Sequence, residues 1–495
     1  MLFYNKDKSS RDQNAQRDIF GFLVKDALKR GEIATLSKRY LYLCLLFSAL
    51  TACATYQAKP LNTQPTLLKE VPHLVVHAGQ MPLPELSAHP FNPDDGLDMT
   101  EVAMLAVVNN PELKIVRNEG RIAQAQLMAA GVLPNPQLAA GVDHPTNGGP
   151  GTMNAFNLGL SYDISALLTQ NAAVNAARAN SRKMDMTVLW QEWQVVQQAR
   201  LLFVNSREQE KLMRELQAYR DLIDTQYQRA RRALQEGNMT IDAVSADLTA
   251  LQDANAGINA LERQTSKTRH ELNALLDLSP EVRLKLVGNV DVPEPDQAKI
   301  ETAAAQLPER RPDLAALQAG YKSQEELFRA AVLAQFPALN IGLTRARDTS
   351  GIYTSGIGIT ISLPIFNRNQ GPIAVEKATR ERLYDEYQAR LNEAFSQVKN
   401  LLSQWRLVSR QYQEVKSVLP EMESIAERAK AALDAGNLDI TTYTGLQAAL
   451  LKKRIETITL EQTMLEQRVA LQTLLGSGLP GQIAPADIHL DERGK

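Results

Sequence analysis

The chain says the same thing twice. Asn110-Pro111-Glu112-Leu113 returns as Arg311-Pro312-Asp313-Leu314, Ala129-Ala130 as Ala330-Ala331, Pro136-x-Leu138 as Pro337-x-Leu339 and Gly141 as Gly342, all at a spacing of 201 residues. Further on, Gly237-Asn238 returns as Gly436-Asn437 and Leu275-Leu276 as Leu474-Leu475, at a spacing of 199. A copy this long that loses only two residues requires two structurally equivalent halves. The period is too long for a solenoid, so the fold is decided by what one half builds.

Each half reads helix, strand, turn, strand, long helix, tip, helix, which sets repeats at 100–287 and 300–478 around a linker at 288–299. Residues 53–99 form a leading segment and 479–495 a tail. The hairpins fall at 136–164 and 337–365. In the second, Leu339, Ile341 and Leu343 alternate with Asn340, Gly342 and Thr344, and Ile357, Ile359, Ile361 and Leu363 with Gly358, Thr360 and Ser362. In the first, Phe156, Leu158, Leu160 and Tyr162 alternate with Asn157, Gly159, Ser161 and Asp163. A period of two gives each strand one apolar and one polar face. Small polar residues inside and apolar ones outside suit a membrane barrel; a soluble hairpin packed by one face fits the same pattern. Four strands cannot close around a lumen, and open edges in lipid leave backbone groups unsatisfied. A barrel reading therefore needs several chains.

The helices are long. Between about Gln370 and Asp434, Tyr384, Tyr387, Leu391, Phe395, Val398, Leu402, Trp405 and Val408 follow spacings near three and four, a coiled-coil seam. At 1.5 Å per residue, roughly 65 residues span on the order of 100 Å. Pro420 is expected to bend this helix. The shorter partners, about Leu113 to Val132 with Met239 to Leu276 and Leu314 to Leu333 with Leu438 to Leu475, are expected to stack end to end beside the long helix. At each tip, Gly237 or Gly436 is expected at positive φ and Asn238 or Asn437 to cap the helix that follows.

Lys38-Arg39 precede an apolar run from Tyr40 to Leu50, ending in Leu50-Thr51-Ala52-Cys53. A charged region before a short apolar run is signal-peptide anatomy, so residues 1–52 are set aside as an extension and signal. Small residues before Cys53 resemble a bacterial lipobox, which makes Cys53 the expected lipid-bearing first residue; an ordinary signal with an incidental cysteine is the alternative. Ala54, rather than Asp, favours sorting to the outer membrane. The other cysteine, Cys44, lies inside the signal, so the mature chain has no thiol pair. A net charge of −2 gives no pull toward nucleic acid. No G-x-S-x-G, H-E-x-x-H or P-loop motif is present, and the six histidines are scattered. His73 and His77 are spaced i,i+4 but follow Pro72, and His144 reads as a polar loop residue. The reading is of a non-enzyme without cofactor or metal site.

The Arg311-Pro312-Asp313-Leu314 motif, Pro337-x-Leu339, the run from Leu363 to Gly371 and the duplicated Gly-Asn tips resemble the TolC family of outer membrane efflux proteins over about residues 95–480. Phe366-Asn367-Arg368-Asn369-Gln370-Gly371 and Leu133-Pro134-Asn135-Pro136 are more similar to its heavy-metal efflux branch, and the lipobox to its lipidated members. The resemblance implies a mostly helical homotrimer. Four strands per chain would make one twelve-stranded outer-membrane β-barrel, continued by a helical coiled-coil tunnel across the periplasm. It implies a passive duct working with a periplasmic adaptor and an inner-membrane pump, with no nucleic acid. Gly237, Asn238, Gly436 and Asn437 would be the adaptor-docking tips. Asp242, Asp247 and Asp439 would be candidate residues of a periplasmic gate, or simply first-turn carboxylates favoured by the helix dipole. Thr441, Thr442 and Tyr443 stand where the family often carries acids. A coiled-coil lipoprotein without a pore and a type I secretion duct are the competing functions, and the cargo is left open between metal ions and small organic toxics.

Overall fold

In the computed structural model, residues 56–72, 81 and 83–479 are described. Cys53, His73, His77 and the tail beyond Leu479 lie outside them. The chain divides after Thr66. The described part of the first unit, residues 56–66, has neither helix nor strand.

The second unit begins with α1 (Pro84–Ser87) and α2 (Met99–Asn109). The first repeat continues with α3 (Pro111–Ala130), β1 (Gln137–Asp143), β2 (Ala155–Asp163), α4 (Ser165–Gln235) and α5 (Ile241–Leu275). After α6 (Gln297–Ala305) and α7 (Leu307–Arg310), the second repeat supplies α8 (Pro312–Leu333), β3 (Leu339–Arg347), β4 (Tyr353–Ile361), α9 (Gln370–Asp434) and α10 (Ile440–Leu475). The order is the one the repeat predicts, element for element. α4 and α9 run for 71 and 65 residues, on the order of 100 Å each at the α-helical rise. Pro420 lies inside α9 without ending it.

The repeat is also written in the packing. Leu272, Leu276, Leu113 and Phe203 are buried in one core, while Leu471, Leu475, Leu314 and Leu402, their counterparts in the copy, are buried in another. α2, which starts with a reciprocal cap between Asp98 and Glu101, adds Val102 to Val107 to the first core. Burying that many aliphatic side chains, at about 1.5–3 kcal/mol each, fixes where the short helices meet the long one. The coiled-coil seam is only partly buried by the protomer itself. Val398 and Leu402 are in the core, but Ala394 takes the inward place and Phe395 and Tyr384 stand exposed. A straight helix drifts by about 20° per heptad, so a sequence seam need not face one neighbour throughout.

The x-Pro-acid-Leu motif proves to be the joint between stacked helices. Asn110 caps α3 by accepting from Leu113 N (2.9 Å), and its Nδ2 donates to Leu275 O (3.1 Å) at the end of α5. In the copy, Arg310 Nε and Arg311 Nη1 reach Leu475 O and Leu474 O, at 3.4 and 3.5 Å. Arg311 is 1% exposed, lies 4.8 Å from the Trp190 ring and forks onto Asp313 at 2.9 and 2.6 Å. Breaking a buried pair by removing one partner costs about 3–5 kcal/mol; the second donor to Asp313, Arg390 Nε at 3.0 Å, puts Arg311→Ala near the lower end. Asn110→Ala, which removes a cap, should cost about 1 kcal/mol. Urea midpoints of the two variants should therefore fall in that order.

Candidate functional site

Two places have surfaces unlike the rest: the sheet and the tips at the far ends of the long helices. The sheet is a single antiparallel one in the order β1-β2-β3-β4. β2 pairs with β3, so the two repeats are joined strand to strand. The register sets Leu138, Leu160, Leu343 and Ile357 in one row, and Tyr162, Ile341 and Ile359 in the next. Ala139, Gly159, Thr344 and Gly356 form a row on the opposite face, as do Asp163, Asn340 and Thr360. One face is thus leucine and isoleucine, the other small and polar.

The apolar face is bare. Leu138, Ile357 and Ile359 are 70%, 76% and 63% exposed, and Leu363 and Phe366, just past the end of β4, are exposed as well. A contiguous apolar surface of this kind marks a protein or membrane contact. The outer edges of β1 and β4 have no partner strand among the described residues. All four helix connections leave from one end of the sheet; the other end carries only the two hairpin loops. No described helix is long and apolar enough to cross a membrane.

The tips repeat each other in detail. Gly237 and Gly436 have φ of +76° and +77°, as expected of the residue after a helix C-cap. Gly237 N donates to Leu234 O and Asn238 N to Ala233 O; Gly436 N donates to Leu433 O and Asn437 N to Ala432 O. This is the Schellman closure of the preceding helix. The expectation that Asn238 and Asn437 cap the next helix is therefore corrected. Thr240 and Asp439, two residues further on, hold the N-cap positions, and each asparagine instead closes the helix before it with its backbone N–H. Nothing lies within 4 Å of where a Cβ would stand on either glycine.

Of the three candidate gate carboxylates, Asp242 stands in the first turn of α5. Asp247 accepts from Gln226 Nε2 at 2.6 Å across the α4–α5 pair. Asp439 caps α10, accepting from Thr442 Oγ1 (2.6 Å) and Thr442 N (2.8 Å). No hydrogen bond or ion pair joins the three to one another among the described residues. The Thr442 hydroxyl, then its backbone N–H, holds Asp439 below its ordinary value. Burial pushes Asp247 up, opposed by Gln226. A depressed carboxylate contributes stability that is present above its unfolded pKa and lost as pH falls through the folded one. Asp439→Ala should thus lower hydrogen-exchange protection in the first turn of α10 at neutral pH, with the difference from wild type vanishing in acid. Asp247 has the opposite sign, so its ionisation weakens the fold as pH rises through its folded pKa, and Asp247→Asn should remove that loss. His144 is a loop residue whose Nδ1 lies 2.7 Å from Asn154 Oδ1. No cluster of potential metal ligands occurs among the described residues.

A four-stranded sheet made of two repeated hairpins, with a bare apolar face and mounted on helices of this length, is an architecture suited to a membrane channel subunit with a long helical extension. Residues 303–477 match the model of the outer membrane efflux protein family. The chain is 25% identical over 366 residues to the cobalt-zinc-cadmium resistance protein CzcC of Cupriavidus metallidurans, covering 72% of this chain and 85% of that one. It is 23% identical to the pyoverdine export outer membrane protein OpmQ of Pseudomonas putida, with 77% and 86% covered. The crystal structure of the CusC channel superposes with a TM-score of 0.62 at 18% identity, over 82% of this chain and 99% of that one. That the short x-Pro-acid-Leu motif holds a joint was missed from sequence, although its recurrence with Leu275 and Leu474 at nearly the same spacing was the signal for it.

Proposed function

We propose that three copies of this chain form a passive exit duct in the outer membrane, fed by an inner-membrane pump through a periplasmic adaptor, for small toxic solutes or metal ions. The observation that carries it is the sheet: an apolar face open to its surroundings, a small polar face, and two outer edges. Pairing β4 of one copy with β1 of the next satisfies both edges, and three copies close twelve strands with lipid outside and water inside. The exposed Phe395 and Tyr384 on α9 are then seam residues between protomers. The named relatives are channel or resistance proteins, and this chain is read as having no catalytic role of its own. Purified protein should run as a heat-modifiable trimer and conduct ions in a planar bilayer. A stalk lipoprotein without a pore would give no conductance, and that result would overturn the duct.

The anchor is Cys53, read as the acylated first residue of the mature protein. Cys53→Ala should leave a slower, unprocessed precursor with no lipid by mass spectrometry, while some trimer still inserts, because the barrel is the main anchor. An unmodified thiol on wild-type mature Cys53 would remove this part of the reading.

A further inference from the structure

The apolar face of the sheet carries two charges, and both are arginines on one strand. Arg345 and Arg347 share the face of Leu339, Ile341 and Leu343, by the period of two. The strand acids Asp143 and Asp163 are on the opposite face, since they pair with Ala155 and Asn340. Arg345 is exposed and has no side-chain partner among the described residues. Arg347 is held in place: Nη2 donates to Asn154 O at 2.9 Å, and its guanidinium lies 5.3 Å from the Phe156 ring and 5.9 Å from the Tyr353 ring. Its Nε is enclosed without a hydrogen-bond partner. Among the described residues, no carboxylate forms an ion pair with either arginine.

Their height decides what they meet. Arg347 pairs with Tyr353 and Arg345 with Ser355. From Leu363, two residues past the end of β4, to Tyr353, ten residues at the strand rise cover about 34 Å, or about 26 Å along the axis at a tilt near 40°. That is the height of the apolar band of an outer-membrane barrel, about 25 Å. The Phe156, Tyr353 and Arg347 row thus lies at the rim, and Arg345 one pleat below it reaches the same level by extending its side chain. The rim is at the hairpin-loop end, away from the helices, and so in the outward leaflet.

We propose that Arg345 and Arg347 bind the phosphomonoester headgroup of a lipid in the outward leaflet, a site that rests on the barrel reading above. Two guanidinium groups without counter-charge match a dianionic phosphate, Arg345 through its free bidentate fork and Arg347 through the N–H groups left over from its bond to Asn154 O. The aromatic pair orients one fork, so less freedom is lost on binding. β3 is an internal strand of the sheet, so closure of a trimer does not cover it.

The test reconstitutes the full trimer in phosphatidylcholine nanodiscs containing bis-phosphorylated lipid A and counts retained lipid A by native mass spectrometry. Wild type should retain it, and Arg345→Gln/Arg347→Gln should bind roughly tenfold more weakly or worse. The double lysine variant should fall between, since charge remains but the fork is lost. Dephosphorylated lipid A should show no difference between the proteins, and inorganic phosphate should not displace the lipid. Equal retention of lipid A by wild type and the glutamine variant, both as intact heat-modifiable trimers, overturns the lipid site alone. If wild type itself neither forms trimers nor inserts, the barrel reading fails and the site falls with it.

Discussion

Ile359→Arg should remove most of the assembled trimer, while Thr360→Arg, one residue along the same strand, should leave it nearly intact. The two side chains leave β4 on opposite faces. Ile359 stands in register with Ile341 and Tyr162, Thr360 with Asn340 and Asp163. Ile359 also lies close to midway between Leu363 and Tyr353, at the centre of the apolar band. An arginine on the lipid face at that depth costs about 2–4 kcal/mol, and little on the lumen face. Three copies multiply it to roughly 6–12 kcal/mol per trimer, as much as the whole stability of an ordinary domain. The measurement is the heat-modifiable band in isolated outer membranes. Equal loss in both variants would mean that the sheet is not in a membrane, and the duct reading would go with it.

What the sequence made legible follows from how local each signal is. Period-two alternation marked both hairpins, and the span from Gln370 to Asp434 coincides with α9, because strand and helix periods are written in neighbouring residues. The duplicated Gly237 and Gly436 took the expected positive φ for the same reason. The pairing of β2 with β3 was not legible, since register between repeats depends on how far-separated helices bring the hairpins together. Asn238 and Asn437 were misread as caps because their role is carried by backbone N–H groups, which every residue but proline possesses. Phe395 was placed in the seam by spacing, yet Ala394 is the buried residue; spacing alone does not say which neighbour a helix face meets. Arg311 looked like one letter of a repeated motif. Its burial against Trp190 and its hold on the end of α10 are visible only once helices distant in sequence are side by side.

Trp at both Asn238 and Asn437 should leave trimer abundance unchanged and abolish export. We propose that the tips are where the adaptor docks, for they are the tight reversals at the ends of helices about 100 Å long, on the side away from the sheet. The structure makes the substitution a clean one. Each asparagine contributes its backbone N–H to the closure of the preceding helix, and tryptophan keeps that group; an apolar residue at this position is moreover common in the motif. The caps of the following helices belong to Thr240 and Asp439 and are untouched. The glycines beside them retain their positive φ, with open space where a partner would approach. Folding therefore survives, and any loss is a loss of docking. Export measured in cells, and cross-linking from cysteines placed beside the tips to the adaptor, should both drop to background, with heat-modifiable trimer at wild-type levels. If export and cross-linking persist with tryptophan at both tips, the Gly-Asn pairs serve only to turn the chain, and the adaptor grips the helices elsewhere.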